Sequence, residues 1–419
     1  MRRTLIGLLA GLALVGAACT PATETIETTA PPETPTTVED TTTTPAETTT
    51  TAEAEAPSTE TGAAELRATL TDLLTGHVYL AGIAVVQAVG QTGGFEAAAA
   101  TLDQNSVDLS QAIGSAYGEE AAQTFLELWR VHIGFFVDYT NAAVAGDQAG
   151  QDQAVADLDG YRADFDAFLT GANPNLPPGS VAEALIPHVD SVLGAIDSVV
   201  AADGQAFDLL KEAAGHMPPT ANTLAGAIAA QFPDLFDGNA ESGASALRSG
   251  LTYLLDEHVY LAGIAVVQAV GQTGGFEAAA ATLDQNSIDL SQAIGSAYGD
   301  EAGQTFLELW RVHIGFFVDY TNAAVAGDQG GQDQAVADLD GYRADFDAFL
   351  TGANPNLPPG SVSDALVPHV ETVLATIDAV VAADGTAFDK LYVAGTGHMP
   401  MTANTLAGAI VAQFPEDFS

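Results

Sequence analysis

This sequence of 419 residues has few cations and a single cysteine. Ten lysines and arginines stand against 55 aspartates and glutamates, which gives a formal net charge of −45 at neutral pH. A surface this negative repels phosphate backbones, so we expect no nucleic acid among the partners. Because Cys19 is the only cysteine, the chain contains no internal disulfide bond. We interpret the acidic surface as a device for solubility rather than as a binding face.

Several motifs that carry chemistry are missing as well. The sequence contains no HxxxH, HExxH, ExxH or CxxC string, so no helix offers two metal ligands one turn apart. The lack of CxxCH excludes covalently attached c-type haem. No nucleophile motif, inward carboxylate pair or phosphate-binding glycine loop is recognisable either. These absences favour a protein that is not an enzyme.

Residues 1–19 have the pattern of an export signal. Arg2 and Arg3 precede an apolar run at 5–15, which is too short to cross a hydrocarbon layer of roughly 30 Å as a helix. Small residues then lead to Cys19, and this arrangement is typical of bacterial lipoproteins, in which the thiol is lipidated. We therefore predict an extracytoplasmic protein anchored to the cell membrane through a lipid on Cys19. An ordinary secretory signal, giving a secreted protein, is the alternative.

Residues 20–63 consist almost wholly of threonine, proline, glutamate and alanine. Ile26 and Val38 are the only large apolar residues in this segment. Burial of so few apolar groups does not offset the entropy lost on ordering, so we predict a disordered linker. It would hold the folded part of the chain away from the membrane.

The remainder of the chain contains a tandem repeat of one segment. Residues 77–181 recur as residues 258–362, with four changes and a constant offset of 181. Each copy has enough residues for a core of its own. We predict two tandem modules, at 64–236 and 245–419, joined by a linker at 237–244.

The apolar spacing is helical throughout each copy. Large apolar residues recur at steps of three and four, and no run of alternating β-branched residues suggests a strand. Glycines and prolines fall where such helices should end. We therefore predict an all-α fold with six or seven helices in each module. In the first module they span about 65–90, 95–116, 119–145, 150–170, 180–202, 204–217 and 220–231.

The eight histidines occupy four equivalent positions in each copy, and each lies on the apolar stripe of its helix. A buried imidazole without a partner costs roughly 1–3 kcal/mol, so each one needs a hydrogen bond or a metal. Every methionine except Met1 lies beside the last histidine of a copy. Imidazole with thioether suits copper, and imidazole alone suits zinc, copper or iron. We therefore predict a metal site in each module, with copper favoured. Its ligands would come from His77, His132, His188, His216 and Met217, and from His258, His313, His369, His398 and Met399.

A purely structural role for the histidines is the alternative. The rings would then bond to Asn105, Ser106, Tyr139 or the backbone, as most buried histidines do. The protein would in that case be a scaffold or adhesion module of the cell envelope, without catalysis. Its protein partners are not indicated by the sequence under either interpretation.

Five strings in the modules are distinctive: HVYLAGIAVVQAV, LDQNSVDLSQAIGSAYG, LWRVHIGFFVDYTN, GANPNLP and GHMPPTANTLAGAIAAQFP. They resemble a family of exported bacterial all-helical proteins of uncharacterised activity, some of which are labelled copper amine oxidase. The resemblance covers essentially the whole of both modules and implies an exported helical protein. Amine oxidases build a quinone from the tyrosine of an Asn-Tyr-Asp/Glu motif, whereas Tyr139 and Tyr320 here lie in Asp-Tyr-Thr strings on a helix. We therefore expect no amine oxidation.

Overall fold

The structure is a computed structural model that describes residues 56–418. The predicted export signal, Cys19 and most of the predicted linker lie outside the described residues. Within 56–418 the chain forms fourteen α-helices and one short 3₁₀-helix, and no strand. The predicted all-α fold class is therefore confirmed.

The first half of the fold contains seven helices, and each begins and ends within three residues of the bounds predicted from the sequence. The helices are α1 (Gly62–Gly90), α2 (Phe95–Tyr117), α3 (Glu119–Ala145), α4 (Gln148–Ala172), α5 (Ser180–Ala201), α6 (Ala206–Gly215) and α7 (Met217–Gln231).

The second half repeats this order. Its helices are α8 (Gly243–Gly271), α9 (Phe276–Tyr298), α10 (Asp300–Ala326), α11 (Gln329–Ala353), α12 (Ser361–Val381), α13 (Ala387–Thr396) and α14 (Met399–Gln413), followed by the 3₁₀-helix Pro415–Asp417.

The start of α7 differs from the prediction for a clear physical reason. Pro218 and Pro219 were expected to separate two helices, yet they lie in the first turn of α7. Proline is tolerated there because the first backbone N–H groups of a helix have no partner within it. As a result His216 is the residue that joins α6 to α7.

Helices α1 and α8 lie at the centre of the fold and pack against each other. Every residue from Leu70 to Leu80 is buried, which is what a helix covered on all sides shows. Across the contact, the rings of Tyr79 and Tyr260 stack with centroids 5.7 Å apart and an interplanar angle of 10°. The main hydrophobic cluster contains residues of both halves, so the core is continuous. The division into two separate modules stays a prediction.

The segment between the halves, 232–242, makes specific contacts. The side chain of Asp237 accepts the N–H of Gly62 at 2.8 Å, and its carbonyl accepts the N–H of Ala63 at 2.9 Å. Helix α8 begins at Gly243, one residue before the end of the predicted linker at 237–244. The connection is thereby fixed to the start of α1.

Three helices, α1, α5 and α8, are long and apolar enough to cross a membrane by length and composition alone. In α1 and α8, 67% of the most apolar stretch is buried inside the fold. Packing between the two halves therefore accounts for much of their apolar character.

Candidate functional site

Each half encloses a cavity of about 40 Å³ at the place where the predicted histidines come together. In the first half the wall includes His77 from α1, His132 from α3, His188 from α5 and Met217 from α7. One water molecule needs about 10–15 Å³ of such space, so the cavity fits a metal ion or a few waters and is too small for haem. The equivalent residues of the second half are His258, His313, His369 and Met399.

Two of the rings are in direct contact. The Nε2 atoms of His77 and His132 lie 3.2 Å apart, and those of His258 and His313 lie 3.3 Å apart. All four side chains are buried, with 4–5% of their surface exposed. The structure thus brings together residues that the sequence places 55 positions apart.

Aromatic side chains fix the orientation of this pair. Trp129, one turn before His132 on α3, places its ring centroid 4.5 Å from that imidazole and 4.8 Å from the ring of His77. On the other side, Tyr161 from α4 stacks on His132 with centroids 5.1 Å apart. Trp310 and Tyr342 make the same contacts in the second half.

His188 is the third imidazole of the cavity, and its ring is oriented from α6. Its Nδ1 lies 3.3 Å from the carbonyl oxygen of Ala213, which can only accept, so Nδ1 carries the proton. This leaves Nε2 with a free lone pair, the arrangement usual for a metal-binding histidine. The start of α5 is itself held by Asp166 of α4, whose carboxylate accepts the N–H groups of Gly179 and Val181 at 2.8 and 2.9 Å.

Burial keeps these imidazoles neutral. It lowers the pKa of His132 to about 3 and of His188 to about 4, and it lowers the pKa of His77 well below its usual range. The neighbouring imidazoles lower these pKa values further, because two positive rings would repel each other. In the second half the pKa of His258 is lowered to about 3 and that of His369 to about 4. At neutral pH these rings therefore have lone pairs available for a metal.

The fourth histidine of each half lies elsewhere, which corrects the expectation that all four rings point inward together. His216 is half-buried at the junction of α6 and α7 and is absent from the cavity wall. Its charge nevertheless contributes to the lowered pKa of His188. In the second half, Nε2 of His398 lies 3.2 Å from the hydroxyl of Thr372. His216 is the residue before α7, whose first turn contains Pro218 and Pro219.

The side chains proposed as hydrogen-bond partners of structural histidines bond elsewhere. Asn105 donates to the carbonyl of Leu73 at 2.9 Å, and Ser106 donates to the carbonyl of Leu102 at 2.9 Å. Tyr139 donates to the carboxylate of Asp197 at 3.1 Å. In the first half none of these three groups bonds to a buried imidazole, whereas in the second half a hydrogen bond from Asn286, the counterpart of Asn105, acts to raise the pKa of His258.

Several polar atoms of the residues that line the cavity have no hydrogen-bond partner within 56–418. They include Nδ1 of His77, Nε1 of Trp129, the hydroxyl of Tyr161 and Nε of Arg162, and the equivalent atoms of the second half. Buried groups of this kind cost roughly 1–3 kcal/mol each and are rare in folded proteins. Water molecules or a bound group in the cavity would complete the hydrogen bonds of these atoms.

The side chains in the cavity wall that could ligate a metal, which are histidines and one methionine, are all neutral. In the part of the chain that the structure describes, no group of three or more His, Cys, Asp or Glu side chains is placed to hold a metal ion. The direct contact is limited to the histidine pair, with His188 and Met217 in the same wall. Closure of a coordination sphere would therefore require His188 or Met217 to move towards the pair.

A second polar cluster, at the contact of α1 with α8, was missed from the sequence. The carboxylate of Glu257 is fully buried and accepts the hydroxyls of Tyr79 and Tyr253 at 2.9 and 2.7 Å. It also pairs with the ammonium of Lys211 from α6. Asp72 and Asp256 lie buried in the same contact. Polar residues inside an otherwise apolar, centrally placed helix were the signal that could have revealed this cluster.

No protein-family model, no curated protein and no solved structure matches the chain. The resemblance to exported helical proteins therefore stays a prediction, and the functional argument depends on the geometry of the cavity.

Proposed function

We propose that this chain is a membrane-tethered extracytoplasmic protein that binds one copper(I) ion in each half. The observation that carries the proposal is the contact between two Nε2 atoms, 3.2 Å apart for His77 and His132 and 3.3 Å apart for His258 and His313. Metal–nitrogen bonds of 2.0–2.1 Å at a tetrahedral angle place two ligating nitrogens roughly 3.3–3.4 Å apart. The pair in each half therefore needs little movement to hold one ion.

The chemistry of the wall favours a soft ion of single charge. The nearby donors, His188 and Met217 included, are neutral, and the rest of the wall is apolar apart from Tyr161, Thr220 and the cation Arg162. The cost of moving an ion out of water rises with the square of its charge, so a divalent ion costs roughly four times as much as a monovalent one. No carboxylate in the wall offsets that cost. Thioether with imidazole also suits copper, and the neutral set suits its reduced state.

The cellular setting of the proposal comes from the sequence. The export pattern and Cys19 support a lipid anchor outside the cytoplasm, and the acidic linker supports a position away from the membrane surface. Sequestration or transfer of copper fits such a protein better than catalysis, because the cavity wall offers no nucleophile and no general acid with an adjacent carboxylate.

A scaffold with structural histidines is the second candidate. A separation of 3.2 Å also fits one N–H···N hydrogen bond between His77 and His132. This candidate leaves Nδ1 of His77 without a partner in the described part of the chain, whereas a hydrogen bond to the backbone of Trp129 acts to raise the pKa of His132. The two candidates differ in one measurable property, which is whether the pair takes up metal.

The test is titration of tag-free protein with copper(I), or with silver(I) as its redox-stable analogue, under anaerobic conditions. We expect one ion per half, and X-ray absorption with nitrogen neighbours at roughly 2.0–2.1 Å. The double variant His77→Gln/His258→Gln should bind none, whereas His216→Gln should keep both ions. Wild-type protein that takes up no ion and melts at the same temperature with or without it would leave the scaffold as the function.

A further inference from the structure

Each half contains a second cavity, which we call the side cavity, between α1, α3, α5 and α6 in the first half and between the equivalent helices in the second. Its volume is about 40 Å³ in both halves. The wall in the first half includes Val78, Gly82, Val85, Val192 and Leu210, and the residues 181 positions later line the side cavity of the second half. Protein interiors contain few voids larger than a water molecule, so a void that recurs in both halves is a specific feature of this fold.

The wall of the side cavity offers almost nothing to a polar ligand. In the first half every lining residue is glycine, alanine, valine, leucine, isoleucine or phenylalanine. These residues lie on helices, in which the backbone groups bond to one another. A buried water needs about two to four polar partners, whereas a cavity with an apolar wall stays dry and takes apolar molecules. The ligand that fits this wall is therefore uncharged and apolar.

The volume of the side cavity limits the size of that ligand. One water molecule needs about 10–15 Å³ of such space, and an apolar cavity of roughly 150 Å³ holds benzene. The side cavity, at about 40 Å³, lies between these limits. It fits a single large noble-gas atom or a molecule of about two or three heavy atoms, such as a diatomic gas.

The side cavity extends from the surface into the core. Val85 and Val86 of α1 and Val199 of α5 are half-buried and form its rim. Val78 and Ile196, in the same wall, are each 1% exposed. The rim therefore gives a small molecule in solution a way into an apolar interior.

The side cavity adjoins the cavity that contains the histidine pair, here called the histidine cavity. Phe136 belongs to the walls of both, and its ring centroid lies 6.1 Å from that of His132. In the second half the two cavities share Phe317 and the imidazoles of His258 and His369. A molecule in the side cavity therefore lies next to the predicted metal ligands.

We propose that the side cavity of each half binds a small uncharged gas molecule and holds it beside the histidine pair. The apolar wall excludes ions, and the volume excludes larger organic molecules, so the diatomic gases are the class of ligand that meets both limits. Binding in the side cavity needs no metal. The proposal is therefore tested separately from the proposed copper site, to which it is linked only by position.

The experiment uses xenon as the probe and the full metal-free chain with isotope-labelled methyl groups. Val85 and Val192 line the side cavity of the first half and not its histidine cavity, so their NMR signals should shift and reach saturation as the xenon pressure rises. Val266 and Val373 should respond in the same way in the second half. Leu66 is buried outside the walls of these cavities, so its signals should change only slightly and without saturation.

The variant Ala195→Ile fills the side cavity of the first half. Ala195 lines that cavity and is 7% exposed. The second half has the β-branched Thr376 at the equivalent position, so the fold accepts a branched side chain there. The xenon response of Val85 and Val192 should disappear in this variant, whereas the second half should respond as before. Ala184→Ile, an exposed change on the same helix, is the matched control and should leave the response of both halves unchanged.

Three results would overturn the proposal. The first is wild-type protein in which the signals of Val85 and Val192 show no saturable response to xenon, a measurement that does not depend on any variant folding. The second is a saturable response confined to residues such as Leu74 and Leu158, which line the histidine cavity and not the side cavity, because xenon would then bind only beside the imidazoles. The third is an unchanged response of Val85 and Val192 in Ala195→Ile protein that melts at the same temperature as wild type.

Discussion

The Nε2 atom of His77 faces the Nε2 atom of His132 at 3.2 Å, inside a fold whose second half repeats the contact at 3.3 Å. The rings come from α1 and α3 and from α8 and α10, so the contact is made by the packing of helices and not by local sequence. Because the same histidine contact occurs in both halves, a substitution in one half can be compared with the unchanged contact in the other half.

The two tryptophans of the chain should report on the two cavities separately. Trp129 and Trp310 each lie 4.5 Å, between ring centroids, from the histidine of their own half. An ion bound at the imidazoles would lie close to the indole and change its emission. In the variant Trp310→Phe, we expect copper(I) or silver(I) to quench the fluorescence of Trp129 with saturation at one ion in the first half.

Two further substitutions in the Trp310→Phe background make this prediction specific. Adding His77→Gln should abolish the fluorescence response, because the first cavity loses half of its histidine pair. Adding His258→Gln should leave the response intact, because that change lies in the second cavity. Quenching that persists after His77→Gln would show that the ion binds elsewhere, for example on the acidic surface.

The sulfur of Met217 should contribute to copper binding beyond its packing. Met217 is 2% exposed and lines the first cavity. Leucine has a similar volume without the sulfur, so Met217→Leu should change stability by less than about 1.5 kcal/mol. We expect copper(I) affinity in the first half to fall about tenfold or more, which corresponds to roughly 1.4 kcal/mol. Competition with a copper(I) chelator measures this change.

Met401→Leu is the matched control for the methionine prediction. Met401 is 65% exposed and lies outside both cavity walls, so its substitution should leave copper(I) affinity unchanged. If Met217→Leu binds copper(I) as tightly as wild type does, the thioether only fills space and the ligands are imidazoles alone.

The burial of His77, His132 and His188 could be predicted because each lies at helical spacing from large apolar residues. Their convergence on one cavity could only be hypothesised. Which ring faces which depends on how the helices cross, and periodicity within one helix carries no information about crossing. His216 shows the limit within a single helix, because its position depends on the tolerance of the first turn of α7 for proline.

The polar contact between the halves could not be predicted for a related reason. An apolar stripe predicts one buried face, and neither Asp72 nor Gly76 carries a large apolar side chain that would mark a second one. In the fold, α8 covers a second face of α1. A Cβ atom added at Gly76 would lie 2.8 Å from the hydroxyl of Tyr260, so only glycine fits at this position unless Tyr260 moves. The equivalent position in the other copy is Glu257, which Lys211 and Tyr79 satisfy. Such complementarity is visible only when both copies are placed together.

The ion pair between Lys211 and Glu257 should be essential to the contact between the halves. The Glu257 side chain is fully buried, so Lys211→Met leaves an uncompensated charge in the core. Loss of one partner of a buried pair costs roughly 3–5 kcal/mol, and urea unfolding should show a loss of this size. Adding Glu257→Gln should recover much of it, because the buried charge is then removed as well.

The only other lysine provides the control for this prediction. The ammonium of Lys390 contacts the hydroxyl of Thr386 at the protein surface. Lys390→Met should therefore change the free energy of unfolding by no more than about 0.5 kcal/mol. Equal losses in Lys211→Met and Lys390→Met would mean that the buried pair is not formed in solution.

The buried imidazoles should make the metal-free protein less stable in acid. The pKa of His132 is about 3 in the folded chain and about 6.5 in the unfolded chain, so only the unfolded state gains a proton as the pH falls below 6.5. Its contribution to stability is complete above that pH and decreases by roughly 2 kcal/mol by pH 5. The variant His132→Gln should therefore lose about 2 kcal/mol less than wild type between pH 7 and pH 5, as measured by urea unfolding. Identical losses would place that ring in contact with water, and the cavity would then be open rather than enclosed.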